Sequence, residues 1–270
     1  MKWFLKSIIL VIIFLILIYL SNELLDDFNF TYKKEIKINE PLIKEIRNGE
    51  ISSLSSSGIL EWTNHEREKY GLKALSLNST LNIIAEMKIN DMIEKDYFDH
   101  VSPSGETIDD LANEIGYNYI GIGENLAVGG FRDDKDLVDG WMNSPGHRAN
   151  ILKSGYQEIG IFVKKGVYKN QNAWFAIQVF ALPLSACPSP DYQLISEIDI
   201  KTNESEDIYS KIEKTKRELD SSRRFNREKI EEHNNLVLKY NNLLNEIKKL
   251  TETYNNQVNL MNNCMNSYGF

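Results

Sequence analysis

Cysteine and proline are scarce in this sequence, two and six residues among 270. The two cysteines, Cys187 and Cys264, exclude a disulfide framework and any CxxC zinc or redox pair. They can pair within the chain, between chains or not at all. Basic charge is also in deficit: 39 Asp and Glu outnumber 31 Lys and Arg, leaving a net charge of −8. No Lys/Arg stripe with interleaved aromatics occurs, so nothing here is built to neutralise phosphates, and nucleic acid is not an expected partner. GxSxG, HExxH and Walker sequences are missing too, and "IGIGENLAVGG" lacks the third glycine of a dinucleotide fingerprint.

What is present divides the chain into four parts. Residues Trp3 to Leu20, "WFLKSIILVIIFLILIYL", carry one charge, Lys6. As a helix they would span roughly 27 Å, close to a bilayer's hydrocarbon core. Residues 1–20 are therefore expected to be a transmembrane signal anchor, favoured over a cleaved signal peptide because "YLSNELLDD" offers no small-x-small cleavage site. Lys2 and Lys6 precede the span and Glu23, Asp26 and Asp27 follow it, which places the bulk of the chain outside the cytoplasm. Cleavage would instead make it a secreted protein. Three sequons, at Asn29, Asn78 and Asn203, are compatible with export. Residues 21–57, with charges and the tract "SSLSSS", have the composition of a stalk or linker.

At the other end, residues 204–261 are expected to be a long helix or coiled coil. Ile212, Leu219, Asn226, His233, Tyr240, Ile247 and Tyr254 recur every seven residues, accompanied by Ile208, Thr215, Ser222, Lys229, Leu236, Leu243 and Leu250. Asn226, Lys229 and Ser222 weaken the middle of this seam. It can serve self-association or a partner helix, or pack as one stripe of a solvated helix on its own domain. An unbroken rod would carry Cys264 far from Cys187; pairing them needs a folded-back hairpin.

Residues 58–191 read as one domain. "ILEWTNHEREKYG" and "SGETIDDLANEIG" are helices ending at glycines. "STLNIIAEMKINDMIEKD" is a third, with Ser79 or Thr80 as cap and an apolar face of Leu81, Ile84, Ala85, Met87, Ile89, Met92 and Ile93. "QEIGIFVKK" and "AWFAIQVFAL", separated by "GVYKNQN", predict an antiparallel hairpin, and helices over such a sheet make an α+β fold.

Three of the four histidines, His65, His100 and His147, fall in this domain, with Glu124 in an apolar and glycine-rich setting between the last two. In "NSPGHRANIL", Ser144 is placed as N-cap, Pro145 as the first helical residue and His147 two residues later. The helix N-terminus disfavours the charged imidazole, so His147 is expected to be neutral near pH 7.

The succession "NHEREKYGLKAL", "LNIIAEMKINDM", "FDHVSPSG", "GENLAVG", "WMNSPGHRANIL", "YQEIGIFV" and "WFAIQVF" resembles the CAP superfamily (cysteine-rich secretory, antigen 5 and pathogenesis-related proteins; the SCP-like domain) in its cysteine-poor prokaryotic form. The resemblance implies an α-β-α sandwich with a cleft in which His100, Glu124 and His147 face one another and in some members hold a divalent metal such as Zn²⁺. The family's second acid is replaced here by Ser144, three residues after Trp141. The expected function is thus a membrane-anchored, extracytoplasmic ligand-binding or interaction module. The alternative is a hydrolase, either with zinc-activated water or with Ser144 as nucleophile, His147 as base and Glu124 orienting it.

Overall fold

The computed structural model describes residues 40–46, 53–222 and 225–268, so the apolar run Trp3 to Leu20 lies outside the described residues. Among the described residues, no helix is long and apolar enough to cross a membrane.

Five strands form one sheet in the order β1-β3-β5-β4-β2. The central antiparallel unit is β3 (Tyr119–Gly129), β5 (Gln171–Pro183) and β4 (Glu158–Tyr168), and the expected hairpin is its β4–β5 half. Its turn is shorter than "GVYKNQN" suggests: only Lys169 and Asn170, both at positive φ (48° and 64°), separate the strands. Two consecutive residues in the left-handed region give the tight turn whose twist matches that of the flanking strands. Two short strands join in parallel at the margins, β1 (Leu42–Lys44) beside β3 and β2 (Ser76–Leu77) beside β4. The stretch expected to be a stalk therefore supplies an edge strand. It also starts the first helix, α1 (Ser56–Lys69), which Ser55 caps by accepting from the Gly58 N–H.

Strand β5 shows how the sheet makes two cores. Ala173, Phe175, Ile177, Val179 and Ala181 face one side; Trp174, Ala176, Phe180 and Leu182 face the other. The period-2 alternation of a strand buried on both faces leaves no polar face at all. On the first side lie α2 (Ser79–Glu94) and α3 (Ile108–Glu114). On the second lie α1, α4 (Asp134–Asn143) and α5 (Pro145–Ile151), centred on the fully buried Trp141. The result is the expected α+β arrangement, with helices on both faces of the sheet. The cap of α2 is Asn78 rather than Ser79 or Thr80. Its Oδ1 accepts from the Thr80 and Leu81 N–H groups at 2.8 and 3.1 Å, a geometry Asn reaches most readily from the extended N-cap conformation.

Beyond the sheet, a short 3₁₀ turn (Leu184–Ala186) leads to two long helices, α6 (Gln193–Ser221) and α7 (Arg227–Ser267). They run antiparallel, as the pairs Lys201–Glu246, Tyr209–Tyr240 and Thr215–His233 show. The two heptad series thus meet each other within one chain: Ile208, Ile212 and Thr215 pack against the stretch holding Leu236, Tyr240, Leu243 and Ile247. The chain turns where the seam was weakest, with Ser222 ending α6 in an extended conformation and Asn226 capping α7 through the Lys229 N–H. At 1.5 Å per residue α7 is about 60 Å long against about 43 Å for α6. The excess returns Cys264 to the domain, where it forms a disulfide with Cys187, Cα atoms 5.7 Å apart.

Candidate functional site

The site forms at the outer margin of β3. Strand β5 lines the inner side of β3 along its length, whereas on the outer side β1 pairs only with Ala127, Val128 and Gly129 and the β3 backbone ahead of Ala127 has no strand. Its outward carbonyls are satisfied by side chains. Trp141 Nε1 donates to the Leu126 carbonyl at 3.2 Å, and Asn150 Nδ2 donates to the Glu124 carbonyl at 3.0 Å. Polar groups of α4 and α5 thus complete the sheet edge, as buried backbone requires.

Alternation along β3 sends Glu124 to the α2–α3 side and Asn125 to the other. Asn125 anchors a buried network: its amide donates to the His147 carbonyl at 3.1 Å and to Gln178 Oε1 at 3.0 Å, and Gln178 in turn donates to Thr63 Oγ1 at 2.7 Å. This chain of bonds ties α1, β3, β5 and α5 together and fixes where α5 presents His147. Arg67, also buried, donates from Nη1 to the Ile151 and Lys153 carbonyls at 2.7 and 2.9 Å and closes the far end of α5.

The expected residues do come together here, but as two pairs. His100 Nδ1 stands 2.6 Å from Glu124 Oε1, and His147 Nδ1 stands 2.7 Å from Ser144 Oγ. Three buried atoms of these side chains, His100 Nε2, Glu124 Oε2 and His147 Nε2, have no hydrogen-bond partner. The carboxylate orients His100, not His147, so the Ser144–His147–Glu124 relay drawn from the sequence is not formed. Ser144 also differs from expectation in detail. It stands at the N-cap of α5 but makes no side-chain cap bond, because its hydroxyl is taken up by the imidazole. His147 is held neutral as expected, its pKa lowered to about 4, but the causes are burial first and the neighbouring His100 second.

A fifth residue was missed by sequence reading. Lys88 is 2% exposed, donates to the His100 carbonyl at 2.6 Å and lies 5.4 Å from the centre of the Tyr97 ring. Burial lowers its pKa, and nearby carboxylates, Glu124 foremost, pull it back. The signal was available: Lys88 falls four residues after Ile84 and three after Ala85, inside the apolar stripe of α2. His65 lies elsewhere, exposed on α1 against Trp62, and the fourth histidine, His233, bonds Thr215 in the helical hairpin.

Zinc takes imidazole nitrogens and carboxylate oxygens, which are the atom types left unpartnered here. Among the described residues, however, no group of three or more His, Cys, Asp or Glu side chains stands so as to hold a metal ion. The expected set of His100, Glu124 and His147 does not fit a resident zinc in this arrangement.

Comparisons with known proteins agree with the motifs. The chain is 42% identical over 109 residues to the protein YkwD of Bacillus subtilis (strain 168), a match covering 40% of this chain and 42% of that one. It is 31% identical over 141 residues to the B. subtilis membrane protein YlbC, covering 52% of this chain and 40% of the relative. The chain thus spans about two fifths of the length of each of these curated relatives. A crystal structure of an extracellular protein containing an SCP domain from Bacillus anthracis matches with a TM-score of 0.40 and 30% identity, over 46% of this chain and 39% of that one. The model of the CAP family, described as the cysteine-rich secretory protein family, matches residues 60–180, the span that holds every site residue named above. Residues 60–180 of this chain are therefore a CAP domain, a member of the cysteine-rich secretory protein family.

Proposed function

We propose that this CAP domain is an extracytoplasmic binding module, tethered to the membrane by residues 1–20, whose ligand is held between the His100–Glu124 and Ser144–His147 pairs. The observation that carries the reading is the set of three buried, unpartnered polar atoms, His100 Nε2, Glu124 Oε2 and His147 Nε2. Leaving such atoms unmade costs about 1–3 kcal/mol each. A bound polar group that reaches them recovers that cost, which is the thermodynamic logic of a recognition site. The neutral His147 offers this group one donor or one acceptor, according to tautomer, and carries no charge that must first be desolvated.

The tether rests on the apolar run and on the charges that flank it. The relative YlbC is described as a membrane protein and the B. anthracis relative as extracellular. Hydrolysis is the weaker reading: Ser144 and His147 are in contact, but no carboxylate orients the His147 ring.

Ring signals of the four histidines in nuclear magnetic resonance spectra test the site. Small fragments bearing carboxylate, hydroxyl or amide groups are added to the exported chain, residues 21–270. His100 and His147 should shift while His65 and His233 stay still, and His100→Ala should abolish the His147 response. Fragments that move all four rings alike, or none, would refute the reading. Zn²⁺ added alone is the metal control: heats that vanish in both His100→Ala and Glu124→Ala would restore a metal role.

A further inference from the structure

We propose that the outer edge of β3 beside α4 is a groove for an extended peptide, filled in this structure by the chain's own residues 40–44 as an exchangeable strap. The ligand class is a peptide with an aliphatic side chain followed two residues later by Lys or Arg. The inference does not depend on what the histidine cleft binds.

Strand β1 lies outside the matched family span. It pairs with β3 over three residues, Leu42 to Lys44 against Ala127 to Gly129. One face of it is spent on the domain: Leu42 packs on the core cluster around Trp141, and Lys44 reaches Asp136 at 2.5 Å. The other face is open, with Ile43 56% exposed. An alternating strand held by two side chains and a short ladder is how extended peptides add to a sheet edge.

The receiving surface is shaped for a strand. Gly129 has φ +146°, and a Cβ there would stand 2.2 Å from the Lys44 carbonyl oxygen; a Cβ on Gly140 would stand 2.9 Å from Leu42 Cδ2. Asp136 also has partners outside the strap. Its side chain is 10% exposed and accepts from the Arg132 N–H at 3.0 Å and the Arg132 guanidinium at 3.1 Å. Burial alone would raise its pKa, yet Lys44 and Arg132 outweigh it and hold the carboxyl at about 2. If the strap leaves, the site keeps a fixed anion, an apolar seat and an unpaired strand edge.

The strap also bears on the cleft. Parallel register runs β1 backward from Leu42 toward the β3 residues that precede Ala127, and Glu40 and Leu42 form a wall of the same groove as Ser144 and His147, a space of about 520 Å³. Exchange of the strap for a peptide therefore rebuilds one wall beside His147. Local opening of so short a ladder is expected well below the energy of global unfolding.

The test uses the full chain, wild type and Leu42→Asp/Lys44→Glu, with a fluorescent capped peptide of residues 39–46, NEPLIKEI. By anisotropy the peptide should bind the double variant with a micromolar Kd and the wild type at least roughly tenfold more weakly, because the strap competes in cis. Adding Asp136→Asn to the double variant should cost about tenfold, in line with loss of a charge-assisted contact. Equal binding to both chains, or none to a double variant that keeps its circular dichroism and melting transition, overturns the proposal. Should the double variant not fold, hydrogen exchange in the wild type decides. The Lys44 amide should exchange at least roughly a hundredfold faster than those of Ala176 and Ile177. Exchange at the β5 rate would make β1 integral and end the idea.

Discussion

The CAP domain and the helical hairpin hold themselves together in different ways. In the domain, side chains from both faces of the sheet are fully shielded, among them Ile59, Leu81, Ile84, Trp141, Ile177 and Phe180, and buried polar groups such as Asn125 and Gln178 are bonded to one another. In the hairpin a thin seam is covered, with Ile208, Ile212, Thr215, Leu243 and Tyr254 at 3–8% exposure, while Leu238, Leu260 and Ile200 remain open at 60–67%. Helices of 29 and 41 residues thus gain little from burial along most of their length. What fixes the hairpin is its foot, where Met261, Met265 and Tyr268 pack on the domain core and Cys264 is covalently joined to Cys187. Layered packing is self-sufficient; a two-helix hairpin needs an attachment.

The hardest blow to that contrast is Trp141→Ala. It should cost roughly 3–5 kcal/mol, toward the upper end because the Leu126 carbonyl also loses its donor. Urea unfolding of the domain should shift accordingly while helical signal from the hairpin persists past the domain transition only if the disulfide is intact. Next in size is Cys187→Ser/Cys264→Ser. Opening a loop of 77 residues removes up to about 4 kcal/mol in the chain-entropy account. Hydrogen exchange should show that loss in α6 and α7 and spare β3 and β5; uniform loss across the molecule would break the comparison.

Smallest is a pH effect confined to the domain. The His147 pKa falls from 6.5 to about 4 on folding, so the unfolded chain binds the extra proton. Its stabilisation is complete above about 6.5, declines as pH falls and is gone below about 4, a change of about 3 kcal/mol. His147→Phe should flatten urea midpoints across that window. Asp136 acts lower, between 3.8 and about 2, where its contribution is lost as the carboxylate protonates. A wild-type slope that survives His147→Phe would place the titrating group elsewhere.

Much of the domain was legible because its signals are local. Glycines end α1 and α3, the β4–β5 alternation is strong, and Ser144 sits where a helix begins. Strand β3 was not legible as a strand: Gly121, Gly123, Glu124 and Asn125 interrupt its apolar pattern, and only flanking strands and α5 explain why polar residues are tolerated there. His100, Glu124, Ser144 and His147 were visible through their motifs. Lys88 was visible only as an anomaly in an apolar stripe.

The sequence by itself determined the composition of each element and the membership of residues 60–180 in their family, since these follow from motifs and nearest neighbours. Tertiary structure alone decided the pairings. Glu124 orients His100 instead of His147, the heptad seam closes within one chain, Cys264 meets Cys187 and residues 42–44 become an edge strand. Each joins residues far apart along the chain, and which partner is met depends on packing geometry that no local window of sequence encodes.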